Sequence, residues 1–267
     1  MAAGEATGAG ERVKADHIVI RKCRDLEELR AGVALQKEVW NFSDLDLVPL
    51  RMFVVADKIG GQVIGSFDGS ELVGFALSIP GVRAGHAYLH SHMLAVREQY
   101  RNSGLGRRLK LVQRQDALSR GFELIEWTFD PLEIKNAYLN VEKLGAIARR
   151  YNLNQYGITS SPLQGGLPSD RLVAEWWLKS GRVQALLKNE SKPEIQTLRT
   201  IPVPAQIYQW KSLPESRHWA KEVQDRNRAE FLNAFSAGLA VLGYERDPSG
   251  NGKFLLGKWD ENWQYSN

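Results

Sequence analysis

A strand, a polar turn and a helix opened by two glycines constrain this chain more than any other feature. Leu94-Ala95-Val96 ends an apolar run, and Arg101-Asn102-Ser103-Gly104-Leu105-Gly106-Arg107 follows it. The first-turn amides of a helix have no partner inside the helix, and the helix dipole adds partial positive charge there. Glycine lets an anion come close to that backbone, so the pattern suits a phosphate. Between Arg97 and Arg120 stand seven basic residues (Arg97, Arg101, Arg107, Arg108, Lys110, Arg114, Arg120) and two acidic ones, Glu98 and Asp116. That local excess of five is larger than the formal net charge of the whole chain, +4. Two plainer readings compete. One is a glycine turn before an amphipathic helix with a solvated basic face. The other is a dinucleotide fold, because Gly104-Leu105-Gly106 begins GxGxxG and Glu126 lies 20 residues past Gly106. Leu109 stands where the third glycine belongs, and the motif follows a hairpin meander instead of opening a parallel βαβ run.

Composition narrows the classes further. The chain has 267 residues with 43% hydrophobic, which is enough for a buried core and too mixed for a disordered chain. No run of about 18 apolar residues suggests a membrane span. A single cysteine, Cys23, excludes an internal disulfide and a cysteine-built metal site. Residues 1–15 begin Ala/Gly-rich without a signal-peptide pattern and are expected to be a flexible tail; a soluble cytoplasmic protein is the default.

The spacing predicts a strand at His17–Cys23, then a helix to Trp40 capped by Asp25 with Glu28 three residues on. Pro49 opens a second helix that Gly60-Gly61 ends. Strands at Gln62–Phe67 and Glu71–Ile79 flank the hairpin turn Asp68-Gly69, Pro80-Gly81 and Gly85 break the chain, and Ala87–Val96 is a longer strand. A helix over Leu105–Arg120, a strand over Phe122–Phe129 and a helix from Pro131 to Leu144 follow. Asn152–Asp170 reads as a long loop and Arg171–Leu178 as a strand. Beyond a polar connector at 181–195, Ile201–Trp210 reads as a strand and His218–Ala237 as a helix with Trp219, Val223, Phe231 and Phe235 on its buried face. Leu239–Tyr244 and Phe254–Trp259 read as strands. The class is α/β, a mixed α+β arrangement with an early antiparallel meander.

Arg101-x-x-Gly104-x-Gly106 after a strand resembles the coenzyme A signature of the GNAT acyltransferases, Q/R-x-x-G-x-G/A, and the order of elements resembles theirs too. Ser91-His92-Met93-Leu94-Ala95-Val96, Glu126-Trp127-Thr128-Phe129-Asp130-Pro131-Leu132, Asn136-Ala137-Tyr138-Leu139-Asn140 and Gly166-Leu167-Pro168-Ser169-Asp170-Arg171 resemble a subgroup of predicted acetyltransferases with no settled substrate. The resemblance implies a central mixed sheet flanked by helices over residues 16–180. A C-terminal βαββ extension over 181–267 would pack on it or offer a homodimer surface.

It also implies acetyl-CoA, or another acyl-CoA, as co-substrate and no metal. Backbone of Leu94, Ala95 and Val96 would pair with the pantetheine arm. Arg101, Asn102, Ser103, Gly104, Leu105, Gly106 and Arg107 would hold the pyrophosphate, with Arg108 or Lys110 reaching outer phosphates and Asn136 also on the coenzyme. The acceptor would be an amine of a small molecule or peptide, with no nucleic acid and no membrane as partner. A general base and a general acid are then needed. Glu126, a carboxylate in the middle of an otherwise apolar strand, is the first candidate for the base, with Asp130 at the strand end and His92 beside the pantetheine strand as the others. For the acid, the family's helix carries a tyrosine where this chain has Val141, and Tyr138, one helical turn earlier, is the substitute. Val141 also opens the alternative of a binding protein without turnover. His86, His90 and His92 share strand parity, a zinc-like spacing that lacks a fourth ligand.

Overall fold

The computed structural model describes residues 17–158, 164–188, 190 and 194–259. The expected tail over residues 1–15 lies outside them. Among the described residues, ten strands form one sheet in the order β1-β2-β3-β4-β5-β7-β6-β9-β10-β8. β1 (Val19–Lys22), β2 (Gln62–Asp68), β3 (Glu71–Arg83) and β4 (His86–Val96) make the antiparallel meander. β4 and β5 (Leu124–Phe129) run parallel, and they pair only through Leu89↔Ile125 and His90↔Glu126. Past those two pairs the strands separate. β5 instead pairs along its whole length with β7 (Arg171–Trp177), from Leu124↔Trp177 to Phe129↔Leu172.

Three local sequence rules explain the first half. Asp25 caps α1 (Leu26–Trp40), its carboxylate accepting from the amides of Glu27 and Glu28. Gly69, at φ +59°, turns the β2–β3 hairpin. Gly104, at φ +83°, sets the entry to α3 (Leu105–Ser119). α1 and α2 (Leu50–Lys58) bury Leu29, Leu35, Phe53 and Ala56 against Phe75, Leu77, Met93 and Ala95 of the sheet. The other face takes α3, whose Leu109 lies against Gly74.

Several expectations need correction. Pro80-Gly81 does not break the chain: β3 runs on to Arg83, Gly81 sits under the Tyr88 ring, and the turn is at Ala84-Gly85. The helix after Pro131 starts later, as α4 (Ile134–Ala137), and then widens into a π-helical turn over Tyr138–Lys143. The stretch before the loop holds a strand, β6 (Ile147–Asn152), beside β7. The connector contains α5 (Gly181–Leu187), capped by Ser180. The segment read as one strand from Ile201 divides into β8 (Arg199–Val203) and α6 (Ile207–Ser212). β8 takes the sheet's edge, where Pro202 needs no ladder partner for its missing N–H.

α7 (Arg217–Ser236) buries Ala220, Val223, Phe231 and Ala234, while Trp219 stays half exposed beside His218. One apolar core runs from Leu89, Ile125 and Trp127 to Phe231, Tyr244 and Phe254. β9 (Leu239–Arg246) and β10 (Gly252–Lys258) therefore continue the same sheet, joined to β6 through Ala148↔Val241.

Candidate active site

A cleft of about 530 Å³ opens where β4 leaves β5. Ser91, His92, Met93 and Leu94 line it from β4, and Trp127, Thr128, Phe129 and Asp130 from β5 and its end. Trp40, Phe42 and Val48 close it on the α1–α2 side, and Asn136, Leu139 and Asn140 on the other. Strand alternation sends Ser91 and Trp127 toward α3, and His90, Glu126 and Thr128 to the opposite face.

β4 carries a bulge at the cleft. Leu77 faces Met93 and Ser78 faces Ser91, so His92 is the extra residue. Bulges re-aim side chains and end pairing, and they recur beside active sites. This one keeps His92 near His90, with ring centroids 6.1 Å apart. Burial holds the His90 imidazole at about 4, and neighbouring cations add to that effect. The His92 imidazole, open to the cleft, is also held below its ordinary value by desolvation. Both are therefore neutral at neutral pH. Among the described residues, no group of three or more His, Cys, Asp or Glu side chains is placed to hold a metal ion.

The other catalytic candidates sit in different surroundings. Glu126 is buried, and both its oxygens accept from Arg83 Nη1 at 2.8 Å, while Arg150 Nη2 also donates to Oε1. Burial raises its carboxyl pKa, and the guanidiniums of Arg150 and Arg83 pull it down without cancelling the rise. Its cross-strand neighbour Glu175 is bound by Arg149 and Arg150. Glu126 thus lies beneath the cleft in an ion-pair network and does not line it. Asp130 does line the cleft, but its Oδ1 caps the Leu132 amide at 2.8 Å and its Oδ2 accepts from Lys211 Nζ at 3.0 Å. Lys211, from α6, also donates to Glu133 at 2.8 Å. Tyr138 lies outside the cleft, in a depression with Pro202, Tyr244 and Arg246, between the cations of Lys143 and Arg246. The π-turn explains this: wider winding breaks the expected equivalence of positions 138 and 141, and Val141 points into the core.

The glycine turn before α3 is open at its backbone. α3 has no side-chain cap at its N-terminus. A Cβ on Gly104 would meet nothing within 4 Å, and one on Gly106 would meet only Leu94 Cδ2 at 3.9 Å. The protein's own packing therefore leaves room at both glycines, as an anion site requires. Ser103 Oγ donates to the Tyr100 carbonyl at 2.6 Å and Arg101 Nε to that of Val96 at 3.0 Å, which brace the turn.

Most of the local positive charge is committed elsewhere. Arg97 binds Glu38 and Glu71, Arg108 the Ile18 carbonyl, Arg114 the Leu178 carbonyl, and Arg120 Asp116 and the Gly60 carbonyl. Arg101 and Arg107, which bonds the Lys143 carbonyl at 3.4 Å, remain beside the turn. Lys110, offered for outer phosphates, points inward. It is only 2% exposed, its Nζ donates to Ser91 Oγ at 2.8 Å, and it lies 3.8 Å from the centre of the Trp127 ring. The Gly106, Lys110, Gln113, Ala117 line of α3, spaced four, three and four residues apart, carried this signal in the sequence; the more apolar Leu105, Leu109, Val112 spacing beside it masked it.

Residues 23–139 match the acetyltransferase (GNAT) family. The fold is that of the GNAT proteins, a mixed sheet flanked by helices. No curated protein is matched by the chain. Among solved structures, an N-acetyltransferase from Staphylococcus aureus Mu50 is similar at 15% identity, TM-score 0.50, covering 61% of this chain and 99% of its own. The yncA protein of Salmonella typhimurium, solved with its cofactor acetyl-CoA, is similar at 15% identity and TM-score 0.50, covering 63% of this chain and 98% of its own. At such identities the likeness is one of fold, the mixed sheet flanked by helices. None of the described helices is long and apolar enough to cross a membrane.

Proposed function

We propose that this protein is an acyl-CoA-dependent N-acyltransferase that moves an acetyl group from acetyl-CoA to an amine of a small molecule or peptide. The observation that carries the reading is the separation of β4 from β5 directly beside an uncapped, glycine-opened helix. The separation leaves the β5-facing edge of β4 from Ser91 onward without a strand partner among the described residues, so the backbone of Leu94, Ala95 and Val96 suits an extended amide-bearing arm. The first-turn amides of α3 at Leu105, Gly106 and Arg107, with Arg101, Asn102, Ser103 and Gly104 shaping the approach, suit the pyrophosphate. Asn136, exposed on the cleft wall, is a further contact.

His92 is the base this arrangement favours. It opens on the cleft, it is neutral at neutral pH, and no described residue hydrogen-bonds its ring. It can take the proton that the acceptor nitrogen must lose. Glu126 and Asp130 are less suited, since Arg83, Arg150 and Lys211 occupy their oxygens. Asp130 then serves to hold the wall of the cleft. The aromatic and apolar side formed by Trp40, Phe42 and Val48 suits an amine attached to an apolar group.

Titration calorimetry with acetyl-CoA tests the coenzyme, and release of free thiol over a panel of amines, amino acids and peptides tests the transfer. Binding without thiol release for any amine would leave an acyl-CoA-binding protein without turnover. Burial of Val141, which brings no hydroxyl to the cleft, favours that second reading. Binding of NADH with no binding of acetyl-CoA would refute both.

A further inference from the structure

The apex of the cleft holds a lysine that no carboxylate among the described residues neutralises. Ser91 and Trp127 are the first residues on each strand after pairing stops, and the Lys110 ammonium rests on both, at 2.8 Å from Ser91 Oγ and over the Trp127 ring. Below it the polar groups form a closed chain. Ser91 Oγ donates to Gln113 Oε1, Gln113 Nε2 to Ser78 Oγ, and Ser78 Oγ to Gln62 Oε1. Ser91 therefore has no proton left for the cleft, while an ammonium has three and Ser91 uses one. The other ionisable groups around the cleft are held otherwise. His90 and His92 from β4 are neutral, Asp130 and Glu133 after β5 bind Lys211 of α6, Asp46 accepts from Ser43 Oγ, Arg171 donates to the Asp170 carbonyl and Gln164, Arg114 on α3 bonds a carbonyl, and Tyr156 OH shares a hydrogen bond with Thr128.

Position along α3 adds direction. Gly106 and Lys110 are four residues apart, one above the other on one helix face, and that face looks at β4: Gly106 onto Leu94, Lys110 onto Ser91. An extended molecule with its phosphates at Gly106 and its arm along β4 runs from Leu94 toward Ser91, so its far end arrives at Lys110.

We propose that Lys110 is the acid that meets the coenzyme's sulfur and donates a proton to the departing thiolate. The inference rests on the acyl-CoA reading above. In the transfer, the acceptor nitrogen bonds to the acyl carbon and the carbon–sulfur bond breaks, leaving its electron pair on sulfur. One Nζ proton passes to that sulfur, giving the free thiol. The nitrogen's surplus proton goes to His92 and returns through cleft water to Lys110, so both residues end as they began. Desolvation brings the Lys110 ammonium down to about 7, which suits a group that must give and regain a proton near neutral pH.

The test uses coenzyme A itself and needs no acceptor. The full-length protein is saturated with coenzyme A, and thiolate absorbance in the ultraviolet is followed against pH, with desulfo-coenzyme A as the blank. The protein's one thiol is silent over the working range, because burial raises Cys23 to about 12. The bound thiolate and the Lys110 ammonium hold each other charged, so the pair shares one proton and the acidity constant of the bound thiol is expected to rise about tenfold or more. In K110M that gain should vanish while affinity for desulfo-coenzyme A is kept. K110Q, which retains a polar group for Ser91, is the second variant should K110M not fold. A bound thiol that titrates like free coenzyme A, or a gain that survives loss of the lysine, overturns the proposal while leaving the coenzyme site intact. Failure of both ligands to bind overturns the coenzyme reading itself, and Lys110 as its acid with it.

Discussion

Gly106→Glu should move stability and coenzyme affinity in opposite directions, and both magnitudes follow from the local geometry. Gly106 is the second residue of α3, and an added Cβ meets only Leu94 Cδ2, at an ordinary contact distance of 3.9 Å. Glutamate is a better helix former than glycine by about 0.5 kcal/mol, and a carboxylate in the first turn gains roughly 0.3–1 kcal/mol from the helix dipole. The free protein should therefore gain about 1 kcal/mol, or about 2–4 °C in melting temperature for a chain of this size. Alanine is too mild a change, because the signature this turn resembles accepts it at the second glycine. The carboxylate would stand where a phosphate approaches the amides. Losing one charge-assisted hydrogen bond there costs about 1.5–3 kcal/mol, which weakens acetyl-CoA roughly ten- to a hundredfold. Thermal melts of the free protein and titration calorimetry at one salt concentration measure the two effects. A stabilised G106E that binds acetyl-CoA as tightly as the parent refutes the phosphate placement. A destabilised G106E refutes the claim that the protein's own packing leaves this space open. Gly104 is the poorer probe, since any side chain at φ +83° adds its own strain of about 1 kcal/mol or more.

His92→Gln should lower thiol release with any accepted amine while leaving acetyl-CoA affinity within about twofold. In the parent, the acid limb of the kcat/KM profile should fall below the pH of an ordinary histidine, about 6.5, because desolvation depresses this imidazole; an unchanged rate in the variant refutes His92 as base. Lys211→Met should cost about 3 kcal/mol at pH 7 in urea denaturation, since it leaves the buried Asp130 and the partly buried Glu133 without their shared cation. Burial holds the Glu133 carboxyl above its ordinary value, and losing Lys211 takes away part of the opposing pull, so the folded state gains on protonation. The penalty should therefore shrink as pH falls toward 5, and a variant equally stable at both pH values as the parent refutes the pairing. Asp25→Ala should cost about 1 kcal/mol by removing the side-chain acceptor from the Glu27 and Glu28 amides, measured the same way.

Local rules were readable wherever one residue type answers one backbone need. Asp25 caps, Asp68-Gly69 turns and Gly104 enters a helix, and each sits where the sequence pattern put it. What stayed hidden depended on partners distant in the chain. β6 contains Arg149 and Arg150, which spoil any strand alternation read from the sequence, and they are tolerated because Glu175 and Glu126 meet them from two other strands. Lys110 looked like one more cation on a basic helix; only the meeting of β4 with β5 shows that it is enclosed. The π-turn at Tyr138 has no sequence signature, and it moved that residue to a different depression.

The hidden features are also what keep the cleft open. A strand that leaves its neighbour gives up ladder hydrogen bonds, and the exposed edges would tend to close again. β5 cannot follow β4, because all six of its residues pair with β7. The bond is reinforced where the split begins: Glu126 is the last residue of β5 to pair with β4, and Arg150 of β6 and Arg83 of β3 both hold it. On the far side Lys211 ties Asp130, just past the end of β5, to α6. The shape needed for an extended acyl carrier is thus built into the free protein by contacts that lie outside the cleft, so a ligand entering it need not separate the strands. Preorganisation of this kind reduces the ordering cost of binding. It also makes Glu126 a residue whose loss would be felt as looseness of β5, whereas loss of Lys110 or His92, on the roles proposed for them, would be felt in the chemistry.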